Sequence, residues 1–388
     1  MQSIKNYSFV VFGTCLLASH IALASPELSQ ASANTINGSI SGNNTSAVTV
    51  NLNGASSVLN WNSFNTAQSE TVSFNMPANG KVLNLINDPS RTIFNGILTA
   101  NNGSVFIVNP NGIELGGTSK VTVPNGSFVA SSLVISAEDF NNNNYQFSTG
   151  ASKGVVINSG TIFASHVGLI GNSVVNQGFV NAFSFSGESS ANLIAGEAVT
   201  LTFDNAGLMQ FEITDAVTEN LGDPASNNNA IEHSAGRLSA NQVLLSAKTA
   251  AGVFDNAINS LGKLEATSIN NQGGIVRLRS EGALIGEDIN VDLNRVTSSV
   301  DTFIVSIPTT FPAPNPDDNI PNDDSNNDDT PDNENESSPA LANLNTLNAN
   351  SNSPGINNEV APNAAISLGL YSVEESGIRL PADQQDDY

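Results

Sequence analysis

Cysteine is all but missing from this chain of 388 residues: its one thiol, Cys15, lies in an apolar run near the N terminus. Basic residues are scarce too, with 12 Lys plus Arg against 36 Asp plus Glu, a formal net charge of -24, although only 12% of residues are charged. A balance that negative repels phosphate backbones and anionic headgroups, and the few cations are scattered, which rules out a nucleic-acid or polybasic membrane reader. Aromatic residues make up only 6%, whereas Gly numbers 31. That composition argues against a large helical or α/β core and favours an all-β, repetitive chain. Long apolar runs are absent as well, and the one from Phe9 to Ala18 falls short of the ~20 residues that cross a bilayer.

That short run has a different use. Lys5 precedes it, and Ala22-Leu23-Ala24 supplies the small-x-small pattern cut by signal peptidase, so residues 1–24 read as a secretory signal peptide. Phe12-Gly13-Thr14 is a poor lipobox for Cys15, which leaves with the signal. The exported chain is then predicted to have no thiol and to be held by hydrogen bonding and apolar packing alone. At the other end the composition shifts near Pro308. Residues 308–388 hold ten of the 16 prolines, 15 acidic residues and one basic residue, Arg379. Stretches such as Asp323-Asp324-Ser325-Asn326-Asn327-Asp328-Asp329 bury too little apolar surface to offset chain entropy, so this segment is predicted to be a disordered acidic tail. Its last part, from Ile366 to Pro381, is more apolar and reads as a slightly sticky terminus.

Between these ends, residues 25–307 show no helical period. Short β-branched and apolar runs, such as Val48-Thr-Val-Asn-Leu52 and Ser104-Val-Phe-Ile-Val108, are punctuated by Asn and Gly. A five-residue frame of Gly, any residue, apolar, any residue, Ala begins at Gly96, Gly126, Gly160, Gly178, Gly236 and Gly262, with an imperfect member at Gly112. Propeller blades need longer repeats, and a β-sandwich has no reason to repeat this frame. Coils of about twenty residues suit a parallel β-helix, in which rungs stack ~4.8 Å apart and satisfy their backbone groups from rung to rung. In that architecture Gly opens a turn, the third residue points inward and Ala fits a crowded corner. The six frames are expected to share one register, with Leu98, Phe128, Ile162, Val180, Leu238 and Leu264 inside and Asn side chains laddering at the corners.

The most informative local sequence is Asn109-Pro110-Asn111-Gly112-Ile113. Asn109 can bond the backbone two residues on, Pro110 presets φ, Asn111 tolerates the third position and Gly112 completes the turn. With Gly96-Ile-Leu-Thr-Ala100 and Asn102-Gly103 upstream and Gly126-Ser-Phe-Val-Ala-Ser131 downstream, this stretch resembles the secretion domain of the filamentous-haemagglutinin family, the exoproteins of two-partner secretion. Asn60-Trp61-Asn62-Ser63-Phe64-Asn65 looks like that family's early tryptophan motif. Glu138-Asp139-Phe140 and Val243-Leu-Leu-Ser-Ala-Lys-Thr-Ala-Ala-Gly-Val-Phe254 add to the likeness, which covers roughly residues 30 to 295. Leu83-Asn84-Leu85-Ile86-Asn87 stands where some members carry Asn-Pro-Asn-Leu.

The resemblance implies a right-handed parallel β-helix of the pectin-lyase-like kind with an N-terminal β cap, to which Trp61, Ser63, Phe64 and Asn65 would belong. It implies Sec export to the periplasm and passage through a cognate outer-membrane two-partner secretion transporter, a TpsB-type barrel with POTRA domains. Asn109, Pro110, Asn111, Gly112 and Ile113 would form the secretion motif. The product would be an adhesin-like surface or released protein with a host or cell-surface ligand. No cofactor is implied. A chain threaded through a pore should carry no disulfide, and a coil-by-coil fold can form progressively on the far side.

The alternative is a β-helical polysaccharide-active enzyme. Such sites need clustered carboxylates, usually with Arg or Lys nearby. Here Glu114, Glu138-Asp139 and Asp204 are isolated in sequence, His166 and His233 are the only histidines after the signal, and Arg277 and Arg279 alternate on a strand that turns them to water. No metal, phosphate-loop or nucleophile-elbow motif appears, so the expectation is a protein that is not an enzyme.

Overall fold

The computed structural model describes residues 25–306 apart from 186, 205–206, 267–273, 283–288 and 297–299. The predicted signal peptide and acidic tail therefore lie outside the described residues. From Ala47 onward the chain winds through three parallel faces. The first stacks Ala47–Leu52, Thr71–Asn75, Ile97–Ala100, the first part of Lys120–Ser131, the first part of Thr161–Gly171, Phe179–Ala182, Arg237–Ala240 and Lys263–Ala266. The second stacks Ser56–Ser63, Lys81–Ile86, Ser104–Val108, the ends of the two long strands, Ser190–Ala195, Gln242–Thr249, Gly274–Gly282 and Val300–Ser306. The third runs Thr92–Phe94, Ile113–Leu115, Val155–Asn158, Ser173–Asn176, Asn229–Glu232, Asn256–Ser260 and Ile289–Val291. The protein is an all-β parallel β-helix.

Its first rung is capped. The strand Glu27–Leu28 pairs antiparallel with Ser56–Ser63, and Gly38–Ser41 pairs antiparallel with Ala47–Leu52. Between them lies the short helix Gln30–Thr35, whose first turn is capped by the Ser29 hydroxyl accepting from the Ser32 amide. These elements occupy hydrogen-bonding groups that would otherwise form a bare sheet edge.

The interior follows from the strand period. On the first face Val48, Val72, Leu98, Val121, Ile162, Val180, Leu238 and Leu264 stand directly over one another, each at most 1% exposed. Burying each aliphatic side chain stabilises the fold by about 1.5–3 kcal/mol before chain entropy is counted. Five of the six frame residues lie in this row. Phe128 is the exception to the expected single register: it is equally buried but stacks on Val105 and Val167 of the second face. The cause is the twelve-residue strand Lys120–Ser131, which turns a corner between Val123 and Ser127, so its rung places Val121 in the first face and Phe128 in the second. The imperfect member, Gly112 to Gly116, falls on the third face as Ile113–Leu115. The frame's glycine is needed for close approach. A Cβ on Gly178 would stand 2.2 Å from the Gly160 carbonyl oxygen, the same oxygen that accepts from the Phe179 amide at 2.8 Å.

Two long excursions leave the helix, one between the rungs of Val121 and Ile162 and one between those of Val180 and Leu238. They build the helix Ala137–Asn141 and an antiparallel sheet of Tyr145–Ser148, Ala198–Phe203 and Met209–Asp215. This flank lies on the outside of the second face and forms a second apolar cluster that includes Leu83, Phe106, Val129, Phe140, Phe147, Ile170, Ile194 and Leu201. Phe106 stacks on Tyr145 with centroids 5.5 Å apart and meets Phe140 edge-on at 5.1 Å. Hence Glu138-Asp139-Phe140 is a helix that anchors the flank. Ser136 caps it, and Asp139 is held below the usual carboxylate range by hydrogen bonds from Ser136 and Asn144.

Candidate functional site

The turns that join the second face to the third stack into one corner, and both sequence motifs lie there. Asn109 ends the strand Ser104–Val108 and is fully buried. Its Oδ1 accepts from the Asn111 amide at 2.9 Å, the local bond expected from the sequence. Its Nδ2 does what the sequence does not reveal: it donates to the Ser90 carbonyl at 3.0 Å and to Thr92 Oγ1 at 2.9 Å, both on the preceding rung. Asn111 Nδ2 likewise donates to the Asp88 carbonyl at 2.9 Å. Gly112 has φ +106°, and a Cβ there would lie 2.9 Å from the Val155 carbonyl oxygen of the next rung, so only glycine fits this position. Ile113 points into the core at 0% exposure and Pro110 is half-buried.

The preceding rung repeats the same turn. Asp88 Oδ1 accepts from the Ser90 amide at 2.9 Å across Pro89, just as Asn109 accepts from Asn111 across Pro110. Two Asx-Pro turns therefore stand one above the other, tied together by the amides of Asn109 and Asn111. Asp88-Pro89-Ser90 was not singled out from the sequence, although acid, proline and hydroxyl in series are a turn signal. It directly follows Leu83–Asn87.

The tryptophan motif forms the other side of this corner. Trp61 is 0% exposed, and its Nε1 donates to Asn84 Oδ1 at 2.9 Å. Asn84 in turn donates to the Phe106 carbonyl at 3.0 Å, so this buried amide ties three rungs together. Phe64 meets Trp61 edge-on at 4.8 Å and stacks on Phe94 at 5.9 Å. Asn65 Oδ1 accepts from the Ile93 amide at 2.7 Å, while its Nδ2 donates to Asp88 Oδ2 at 3.3 Å. The Ser63 hydroxyl accepts from the Asn65 amide at 3.3 Å. Asp88 is thus bonded from one side by Asn65 and from the other by Asn111. What reaches the surface is small: Pro89 and Ser90 are exposed, Pro110 and Asn111 half-exposed.

A strap, residues 217–226, closes the corner on its third-face side. Arg91 pairs with Glu114 at 3.4 Å and also with Asp223, while Lys153 pairs with Glu197 at 2.9 Å and Glu219 at 3.5 Å. The Glu197 carboxylate, accepting from Lys153, holds that amine above its ordinary range. Leu221 and Ala225 of the strap pack on Val155, Ile157 and Val175.

Several of the ionisable side chains serve the fold. Glu114 pairs with Arg91. His233 is fully buried, its affinity for a proton lowered by burial, with Nδ1 3.2 Å from Asn176 Nδ2. It extends the expected asparagine ladder, in which Asn158 Nδ2 donates to Asn176 Oδ1 at 2.8 Å. The buried Glu232 carboxylate does the same one row over, accepting from Asn229 at 2.6 Å and Asn259 at 3.0 Å. His166 is desolvated, which pulls its pKa down to about 4 against a weaker opposing pull from Asp204. Arg277 and Arg279 are exposed. Among the described residues no three His, Cys, Asp or Glu side chains stand together as metal ligands.

The fold is a capped parallel β-helix with a hydrogen-bonded Asn-Pro-Asn-Gly turn at one corner. The chain belongs to the family of TPS secretion domains, whose profile matches residues 19–293. The matched residues include nearly all of the described β-helix. Two heme/hemopexin-binding proteins of Haemophilus influenzae are similar to it. The one from strain KW20 / Rd is 26% identical over 231 residues, which is 58% of this chain and 24% of that protein. The other is 25% identical over 324 residues, 78% of this chain and 33% of that protein. The chain thus spans about a quarter to a third of the relatives it matches. Among solved structures it is similar to the HMW1 secretion domain from Haemophilus influenzae, at 22% identity and TM-score 0.43 over 73% of this chain and 71% of that one. The filamentous hemagglutinin secretion domain, at 14% identity and TM-score 0.43, is covered over 99% of its length by 73% of this chain.

Proposed function

We propose that the stacked corner is the export determinant of this exoprotein, read in the periplasm by the POTRA domains of its TpsB-type transporter after Sec export directed by residues 1–24. Asn109, Pro110, Asn111, Gly112 and Ile113 form its core, and Trp61, Ser63, Phe64 and Asn65 hold it against the cap. The observation that carries this reading is the pair of Asx-Pro turns locked by the amides of Asn109 and Asn111. A turn so tied presents the same proline and amide edges each time, and a preorganised surface is what recognition of a transient partner requires. The chain then acts outside as an adhesin-like surface or released protein, with a host or cell-surface ligand and without enzymatic activity. The heme and hemopexin binding named for the relatives is not carried over, since most of each relative's length lies outside the match.

The test is fractionation of periplasm, outer membrane and medium for Asn109→Ala, Gly112→Val and a transporter-null strain, with the exposed Lys120→Ala as control. All but the control should hold the protein in the periplasm at unchanged synthesis. Normal release from both turn variants removes the corner from export, and normal release without the transporter overturns the partner.

A further inference from the structure

A cleft of about 390 Å³ opens between the early rungs and the flank, lined among others by Ser56, Asn79, Lys81, Ser104, Tyr145 and Phe203. That volume lies within the range of small-ligand pockets, roughly 300–1,000 Å³. The Lys81 ammonium donates to the Phe140 carbonyl, to Asn143 Oδ1 at 2.7 Å and to Tyr145 Oη at 3.3 Å. It also lies 4.4 Å from the Phe140 ring centroid and 5.1 Å from that of Tyr145. Every one of these partners is neutral. Arg91, Lys153, Arg237 and Lys263 all hold a carboxylate, in a body rich in acids, and Lys81 holds none among the described residues. Burial accordingly lowers its affinity for a proton.

A half-buried cation whose three N–H groups meet only carbonyl, amide and phenol oxygens is a place where an incoming carboxylate, displacing the longest of these contacts, to Tyr145 Oη at 3.3 Å, would gain a charge-assisted bond. The rest of the cleft narrows the choice. Ser56, Asn79 and Ser104 offer hydroxyls and an amide, and Phe203, 37% exposed, meets Tyr145 edge-on at 5.6 Å and stands as a ring at the mouth. A cleft lined by hydroxyl and amide groups together with an aromatic ring matches a pyranose, which has hydroxylated edges and an apolar CH face. We infer that this cleft binds a carboxylate-bearing sugar residue, its carboxylate on Lys81 and its CH face on Phe203. The inference does not rest on the export reading, because it is tested on the folded protein in solution.

The full chain is titrated with glucuronic acid and with N-acetylneuraminic acid by saturation-transfer NMR, with glucose and acetate as controls. A single site should bind at least one acid sugar with a Kd of about 1 mM, and both controls about tenfold more weakly or worse. Lys81→Gln should weaken binding about tenfold. Phe203→Ser, at the rim and outside the body of the core, should weaken it about threefold while the fluorescence of the buried Trp61 stays native. No saturation by either acid sugar up to about 20 mM overturns the inference, as does acetate binding as tightly as the sugars. So does unchanged binding by Phe203→Ser together with Lys81→Gln.

Discussion

Along the first face, every rung from Val48 to Leu264 places one aliphatic residue in the same inward row, whereas at the corner each rung places a polar side chain, Asn65, Asp88 or Asn109, against its neighbour. The face is held by area removed from water, which is non-directional and tolerates Val, Leu or Ile in any order. The corner is held by directional bonds in a buried setting, where one missing partner strands another. A repetitive face can be long and varied. A corner of this kind stays chemically particular, as the proposed export determinant requires.

The largest expected effect comes from attacking the face. Leu238→Asp puts an unpaired charge at a position that is 0% exposed and should cost about 4 kcal/mol or more, read as a collapse of the urea midpoint followed by the single tryptophan, Trp61. Phe128→Asp should do the same from the second face. Unchanged midpoints in both would show that the inward row does not support the fold.

Breaking the corner should cost less and be more local. Asn109→Ala deletes three hydrogen bonds and leaves the Asn111 amide and Thr92 Oγ1 short of a partner, a loss of about 2–3 kcal/mol. Asn109→Asp keeps the acceptor for Asn111 but loses both donors to the preceding rung. If the ties between rungs matter, the Asp variant resembles the Ala variant in denaturant titration; recovery of wild-type stability would reduce the corner to its local turn.

Acid sharpens the contrast from another side. His166 has a pKa of about 4 in the folded chain against 6.5 when unfolded, because burial disfavours its charged form. The unfolded chain takes up a proton that the native state refuses, so this contribution to stability is lost as pH falls from about 6.5 to about 4, amounting at most to about 3 kcal/mol. The buried His233 is shifted in the same direction. His166→Gln should flatten the stability profile in that window, and an equally steep profile in the variant would contradict the assignment.

The smallest effect is expected at the end of the chain. Deleting residues 308–388 should leave the melting temperature of the body nearly unchanged, since that segment is rich in Asp, Asn and Pro and poor in apolar residues. A drop of several degrees would mean that the apolar stretch from Ile366 to Pro381 packs on the body.

Sequence by itself determined what depends on neighbours along the chain. Alternation set which side of each strand turns inward, so every frame residue from Leu98 to Leu264 is buried, and the Asn109-Pro110-Asn111 turn closes through a bond spanning two residues. The tertiary structure decided what depends on how rungs align. It moved Phe128 to the second face, set Asp88-Pro89-Ser90 above Asn109, brought Asn84 under Trp61, and drew His233 and Glu232 into the asparagine ladders. A strand's period is fixed by covalent geometry and sterics, which act within a few residues. The height at which one rung meets the next is set instead by where corners bend and excursions leave the helix, and a register built that way emerges only when the chain closes on itself.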